Sequence, residues 1–278
     1  MVFMTFNKVK KRGAYIKMKK KYFIQLILFL TGIIFVSYSY WIGSFSVLFM
    51  ILLLSLFEKK TRLFSLNILA FLVGFMLYQY SSFELKYFFA NNYSRILVNR
   101  CLLIMIILCC LIVSFIYNRP VFKSFNKPLW NNRIFFPYIS RGRCSIRVSY
   151  FLVQAVLINM CIFIPFVLIH RPCFTSSLIL FTILFSLLNA IFEEVIWRGL
   201  LLNIFRDNLN NTIYAVIFTS IGFGLQHISL GFSLLPSILF SFGGIWFAIV
   251  DLRTDSIYPS IIWHIIINIG MVLSGVIS

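Results

Sequence analysis

Acidic residues are scarce in this chain: 7 Asp and Glu stand against 25 Lys and Arg among 278 residues. Only 12% of the residues are charged and 61% are hydrophobic. An ordinary soluble domain is about half apolar and about a quarter charged, so that class is excluded. Histidine is rarer still, with 3 in the chain, and no HExxH is present, which removes the strongest signature of a soluble zinc protease. There is no CxxC pair. Cys101, Cys109, Cys110, Cys144, Cys161 and Cys173 lack the even spacing of a disulfide framework or a zinc knuckle, and most sit in apolar runs as small core residues. No internal repeat appears, and charged positions do not recur in paired helices, which argues against a proton- or ion-coupled transporter. The basic start (Lys8, Lys10, Lys11, Arg12, Lys17, Lys19, Lys20, Lys21) is not followed by a small-residue cleavage site. It therefore reads as the flank of a retained first helix, not as a removed signal peptide.

What the chain does have is long apolar runs. About 20 apolar residues span a bilayer core, and on that measure candidate helices fall near 23–40, 43–57, 63–80, 98–117, 148–169, 175–200, 212–230, 233–251 and 256–276. The second is short enough to be interfacial or re-entrant, so the expected fold is an all-α, polytopic transmembrane bundle of eight or nine spans. The basic residues punctuate these runs and form no groove-sized patch, which excludes nucleic acid as a partner. With the N-terminus in the cytoplasm, 21 basic residues lie inside and 4 (Lys86, Arg95, Arg100, Arg171) outside, as the positive-inside rule requires. The expected location is thus the cytoplasmic membrane, in contact with its lipids.

Four regions follow: a basic cytoplasmic N-terminus (1–22), N-terminal transmembrane helices (23–117), a basic cytoplasmic loop (118–147) and a C-terminal part (148–278). The loop carries Pro120, Pro128 and Pro137 and no acid, and is expected to lie along the anionic lipid surface. The N-terminal helices hold almost no notable polar residue, so the chemistry is expected after residue 148, in a four-helix core.

Within that core, Glu193 and Glu194 lie in a stretch otherwise apolar enough to cross a bilayer. A carboxylate at mid-membrane costs roughly 2.5–3.5 kcal/mol even on the lenient insertion scale, so it reads first as a functional residue. Glu194 and Arg198 are spaced i,i+4 in the favourable order for an ion pair, and Glu193 points about 100° away on an α-helix. One acid can be held by Arg198 while the other faces a cavity. His227 and His264 lie in downstream apolar spans, with Phe223 and Asn268 each four residues from a histidine and on its helical face. A buried Glu can act as general base on water, an imidazole can share its proton, and His and Asn N–H groups can stabilise an oxyanion. The same Glu193, His227 and His264 could instead ligate zinc; glutamate-activated and zinc-activated water both stay open, with zinc or no metal as the cofactor.

Glu193-Glu194-Val195-Ile196-Trp197-Arg198-Gly199, Phe223-Gly224-Leu225-Gln226-His227 and His264-Ile265-Ile266-Ile267-Asn268 resemble, in order, the EExxxRG, FxxxH and HxxxN motifs of the CAAX protease and bacteriocin-processing (CPBP, or Abi) family of intramembrane peptidases, over roughly residues 175–275. The resemblance implies a type II CAAX prenyl endopeptidase-like enzyme. Glu193 would be the water-activating base with His227 as its partner, Glu194 and Arg198 would be supporting, and His264 with Asn268 would form the oxyanion site. The implied substrate is a membrane-associated or lipidated peptide or protein, such as a secreted peptide precursor. The alternative is a non-catalytic bacteriocin self-immunity or regulatory protein on the same scaffold. Helix depth conflicts with this arrangement: with helix ends at 200 and 212, Glu193 and His227 differ in depth by up to about 10 Å at a rise of 1.5 Å per residue.

Overall fold

A computed structural model describes residues 20–120, 123–136 and 144–277. Expectations for the basic N-terminus through Lys19, and for Pro137, Arg141 and Arg143 in the loop, lie outside the described residues. The chain runs α1 (Lys20–Ser37), α2 (Trp41–Phe57), α3 (Arg62–Phe88), α4 (Asn92–Cys101) and α5 (Ile104–Ile116), then a two-stranded ribbon of β1 (Arg133–Phe136) and β2 (Cys144–Arg147). It continues with α6 (Val148–His170), α7 (Ser176–Glu194), a π-helical segment (Val195–Leu202), α8 (Asn203–Leu209), α9 (Thr212–Gln226), a 3₁₀ turn (His227–Leu230), α10 (Leu234–Thr254) and α11 (Tyr258–Leu273). Among the described residues, seven helical stretches are long and apolar enough to cross a membrane, and α2 and α11 are shorter apolar helices. The chain is an all-α, multi-pass membrane bundle, and the antiparallel ribbon is its one sheet among the described residues.

Lipid is as apolar as leucine, so helices in a bilayer associate through close van der Waals packing and polar contacts, without a hydrophobic drive. The periphery reflects this: α6 buries only Val148 and Ala155 and turns Leu157, Ile158, Phe166 and Ile169 outward. The interior is built on aromatics. Trp197, 1% exposed, packs edge-on against Phe29 of α1 and Phe71 of α3 at centroid distances of 6.4 and 5.3 Å, and Phe205 closes the group against Phe29 and Phe64. The N-terminal helices thereby pack onto the motif-bearing run itself.

Small residues set the approach of α9 to α10. A Cβ on Gly224 would collide with the Ser237 carbonyl oxygen and Ser241, and one on Gly244 would lie 3.2 Å from the Ser220 Cα. Gly243, next in the chain to Gly244, borders open space instead: a Cβ there would meet nothing within 4 Å.

The run from Ser176 to Leu209 is continuous, 34 residues long, and this resolves the depth conflict. Glu193 lies 16 residues before Leu209 and His227 lies 15 after Thr212, about 24 and 22 Å from the same turn at an α-helical rise. The sequence-based end at residue 200 was too early because the π-helical segment carries the helix onward.

The described part of the basic loop folds back over the α10–α11 turn. Ile257 N–H donates to the Ser124 carbonyl (2.8 Å), Leu129 N–H to Thr254 (2.9 Å), and Asn132 Nδ2 to the Arg253 carbonyl (2.7 Å). These bonds satisfy backbone groups at a helix junction.

Gly224→Ala should cost about 1–3 kcal/mol through overpacking and lower the melting temperature of the detergent-solubilised protein, while Gly243→Ala should leave it unchanged.

Candidate functional site

Both glutamates are fully buried and Arg198 is 2% exposed. Glu194 Oε1 accepts from Arg198 Nη1 at 3.0 Å and from His264 Nδ1 at 2.9 Å. The second guanidinium nitrogen, Nη2, donates to the Gly244 carbonyl at 3.1 Å, and the guanidinium lies 4.4 Å from the Phe223 ring centre and 5.0 Å from that of Phe247. Cation–π contacts of this kind gain strength when desolvated. Phe247 also stacks on His264, 5.0 Å away at 20°. A single interaction set therefore ties α7, the π-helical segment, α9, α10 and α11. Arg198 is a core residue here.

Glu193 is placed differently. It lines a cavity of about 670 Å³ together with His227, His264 and Asn268. Its Oε1 lies 3.4 Å from Gln226 Nε2 and 3.7 Å from Arg100 Nη1, and its Oε2 has no hydrogen-bond partner among the described residues. Gln226 is oriented by Trp197 Nε1, which donates to its Oε1 at 2.9 Å, so its amide is turned towards the carboxylate. His264 Nε2 lies 3.7 Å from Glu193 Oε2, too far for a direct hydrogen bond.

The expected residues do not all meet. Glu193, Glu194, Arg198, Phe223 and His264 converge. His227 lines the same cavity but forms no hydrogen bond to either carboxylate among the described residues. Its Nδ1 lies 2.8 Å from the Phe223 carbonyl, an acceptor, so Nδ1 carries the proton and Nε2 stays available. The imidazole is held flat against Phe240, 4.0 Å away at 19°. Asn268 Nδ2 lies 3.5 Å from the Ser186 carbonyl, at the limit of a hydrogen bond. Among the described residues no group of three His, Cys, Asp or Glu side chains is placed to hold an ion. No step below runs through a metal.

Sequence reasoning missed Arg100. Read as an outside topology charge, it is 3% exposed and reaches the wall of the cavity beside Glu193. Nη1 donates to Asn189 Oδ1 at 3.1 Å and Nη2 to the Tyr78 hydroxyl at 2.6 Å, with a further bond to Asn99. The expectation that all the chemistry follows residue 148 does not extend to this guanidinium. The available signal was a charge inside an apolar run, which is costly in a membrane unless paired. Gln226 was passed over for the same reason that Arg100 was: neither belongs to a motif position.

Residues 175–270 match the family model described as Rce1-like, "Type II CAAX prenyl endopeptidase Rce1-like". The match begins at the head of α7 and ends within α11, leaving Tyr78 and Arg100 outside it. No curated protein and no solved structure matches the chain.

Truncating Arg198 leaves Glu194 buried without its counter-charge, a change that costs about 3–5 kcal/mol. Arg198→Ala should therefore lose the folded protein in detergent, read as a collapsed monodisperse peak on size exclusion, while Arg198→Lys should retain part of it.

Proposed function

We propose that the chain, whose residues 175–270 match the Rce1-like family model, is an intramembrane endopeptidase in which Glu193 activates the attacking water. The observation that carries this reading is the free Oε2 of a fully buried Glu193, turned to a cavity with an imidazole Nε2 at 3.7 Å. Neighbouring Glu194 accepts from Arg198 and His264 on one oxygen and is absent from the cavity wall, which supports a structural role for it.

In the proposed reaction Glu193 takes a proton from water as the oxygen adds to the carbonyl carbon of the scissile bond. The carbonyl π-electrons move to its oxygen, and the Asn268 amide N–H stabilises that oxyanion. His264 donates its Nδ1 proton to Glu194, so it offers a second donor at Nε2 only as the imidazolium. Collapse of the tetrahedral adduct breaks the C–N bond, and the proton held on Glu193 passes to the leaving nitrogen. His227, with Nε2 available, is the partner in that proton transfer. Arg100 and Gln226 hold Glu193 Oε1, leaving Oε2 to face the water. The substrate is a membrane-associated or lipidated peptide or protein, the enzyme resides in the cytoplasmic membrane, and the basic end of the bundle faces the cytoplasm by the positive-inside rule.

The test is mass-spectrometric detection of cleavage of co-expressed candidate precursor peptides by purified wild type and Glu193→Ala. General-base removal costs about 10²–10⁴-fold, so cleavage should fall by that factor in the variant. Equal cleavage by the two proteins would overturn the role of Glu193. A protein that binds such peptides without cutting them would be an immunity or regulatory protein on the same scaffold.

A further inference from the structure

The two ends of the bundle are chemically unlike. Side-chain and backbone contacts join Lys21 to Glu58, Lys123 to Asp207 and Ser124 to Ile257 at one end. At the other, Gln79 meets Ser39, Tyr93 stacks on Phe181, and the His170 ring packs beside Gly275. The first end collects the basic turns around 58–62 and 119–133 together with Arg206 and Arg253. The second carries Arg95 and Arg171.

The cavity joins the candidate site to the second end. From Glu193, His264 and Asn268 its wall climbs to Arg95, Gly231 and Val276, and no wall residue comes from the turns of the basic end. Gly231 and Val276 are exposed at its rim. Toward the basic end the floor is shut by the Glu194–Arg198–His264 cluster and the Phe223 and Phe247 rings around it. Beyond that floor, the hydrogen bonds from Ser124, Leu129 and Asn132 pin the loop across the α10–α11 turn.

Positive charge retained on the cytoplasmic side orients membrane proteins, and the charge here is concentrated at the end away from the opening. We infer that the site takes its substrate from the extracytoplasmic face: the substrate is a peptide segment already carried across or displayed on the outer side of the membrane, and not a cytosolic tail. This rests on the reading of Glu193 as the base of a peptidase. An apolar anchor of such a substrate can stay in lipid while its extended segment enters between the ends of α3, α4 and α11, where water is also admitted to Glu193, as hydrolysis within a bilayer requires.

Two natural cysteines serve as reporters. Cys173 is exposed beside the opening, between α6 and α7, and Cys144 is exposed on the ribbon at the basic end. In intact cells expressing the full chain, a membrane-impermeant maleimide should label Cys173 and spare Cys144, with Cys144 reacting only after permeabilisation, as mapped by peptide mass. The reverse pattern would overturn the inference. This arm needs no turnover, so it stands whether or not the protein is a peptidase. In a Cys173→Ser background, Val276→Cys at the rim should also be labelled from outside, and that modification should reduce cleavage of a co-expressed precursor peptide at least 10-fold. Outside labelling of Val276→Cys with unchanged cleavage would overturn the entry route. Absence of any cleavage in the unmodified protein would overturn the peptidase reading and the substrate with it, while leaving the measured direction of the opening.

Discussion

The ion pair of Glu194 and Arg198, sealed between two aromatic rings at the centre of the bundle, constrains everything around it. In hydrocarbon an isolated charge is prohibitive, and a buried pair is tolerable only if its remaining donors and acceptors are met. The Gly244 carbonyl, the His264 imidazole and the faces of Phe223 and Phe247 meet most of them. Each of these partners lies on a different helix from Arg198, so satisfying one guanidinium and one carboxylate also sets the relative placement of α9, α10 and α11. Gly244 accepts the arginine and at the same position lets α10 approach α9 closely.

Glu193, one residue earlier, shares with Glu194 an oxygen that has no hydrogen-bond partner among the described residues, but it lines the cavity. Its neighbours hold one oxygen loosely and leave the other without a partner. A buried acceptor in this state costs free energy that a structure retains only where something else offsets it, and a cavity beside it is a place where a further polar partner can sit. The two adjacent carboxylates differ in their surroundings: Glu194 accepts from Arg198 and His264 on one oxygen, and Glu193 lines the cavity.

The helices before the basic loop do more than fill the membrane. They bury Trp197, whose indole then orients Gln226 toward Glu193, and they send Arg100 to the same carboxylate from α4 with Tyr78 and Asn99 behind it. The family-matched segment carries Glu193, His227 and His264, and the segment outside it completes their surroundings.

Composition and the 20-residue apolar runs were enough to establish an all-α membrane bundle and most helix positions, because a bilayer permits few other backbone arrangements. The i,i+4 spacing was enough to pair Glu194 with Arg198, since that contact is local to one helix. What tertiary structure alone decided involves residues far apart in the chain: the bond from His264 to Glu194 across 70 positions, the arrival of Arg100 at Glu193, the equal depth of Glu193 and His227 created by the π-helical continuation to Leu209, and the end at which the cavity opens. Local spacing records which side chains share a face of one helix. It carries no record of how separate helices are rotated, tilted and set in depth, because those are settled by close packing at residues such as Gly224 and Trp197 and by the need to pair every buried charge.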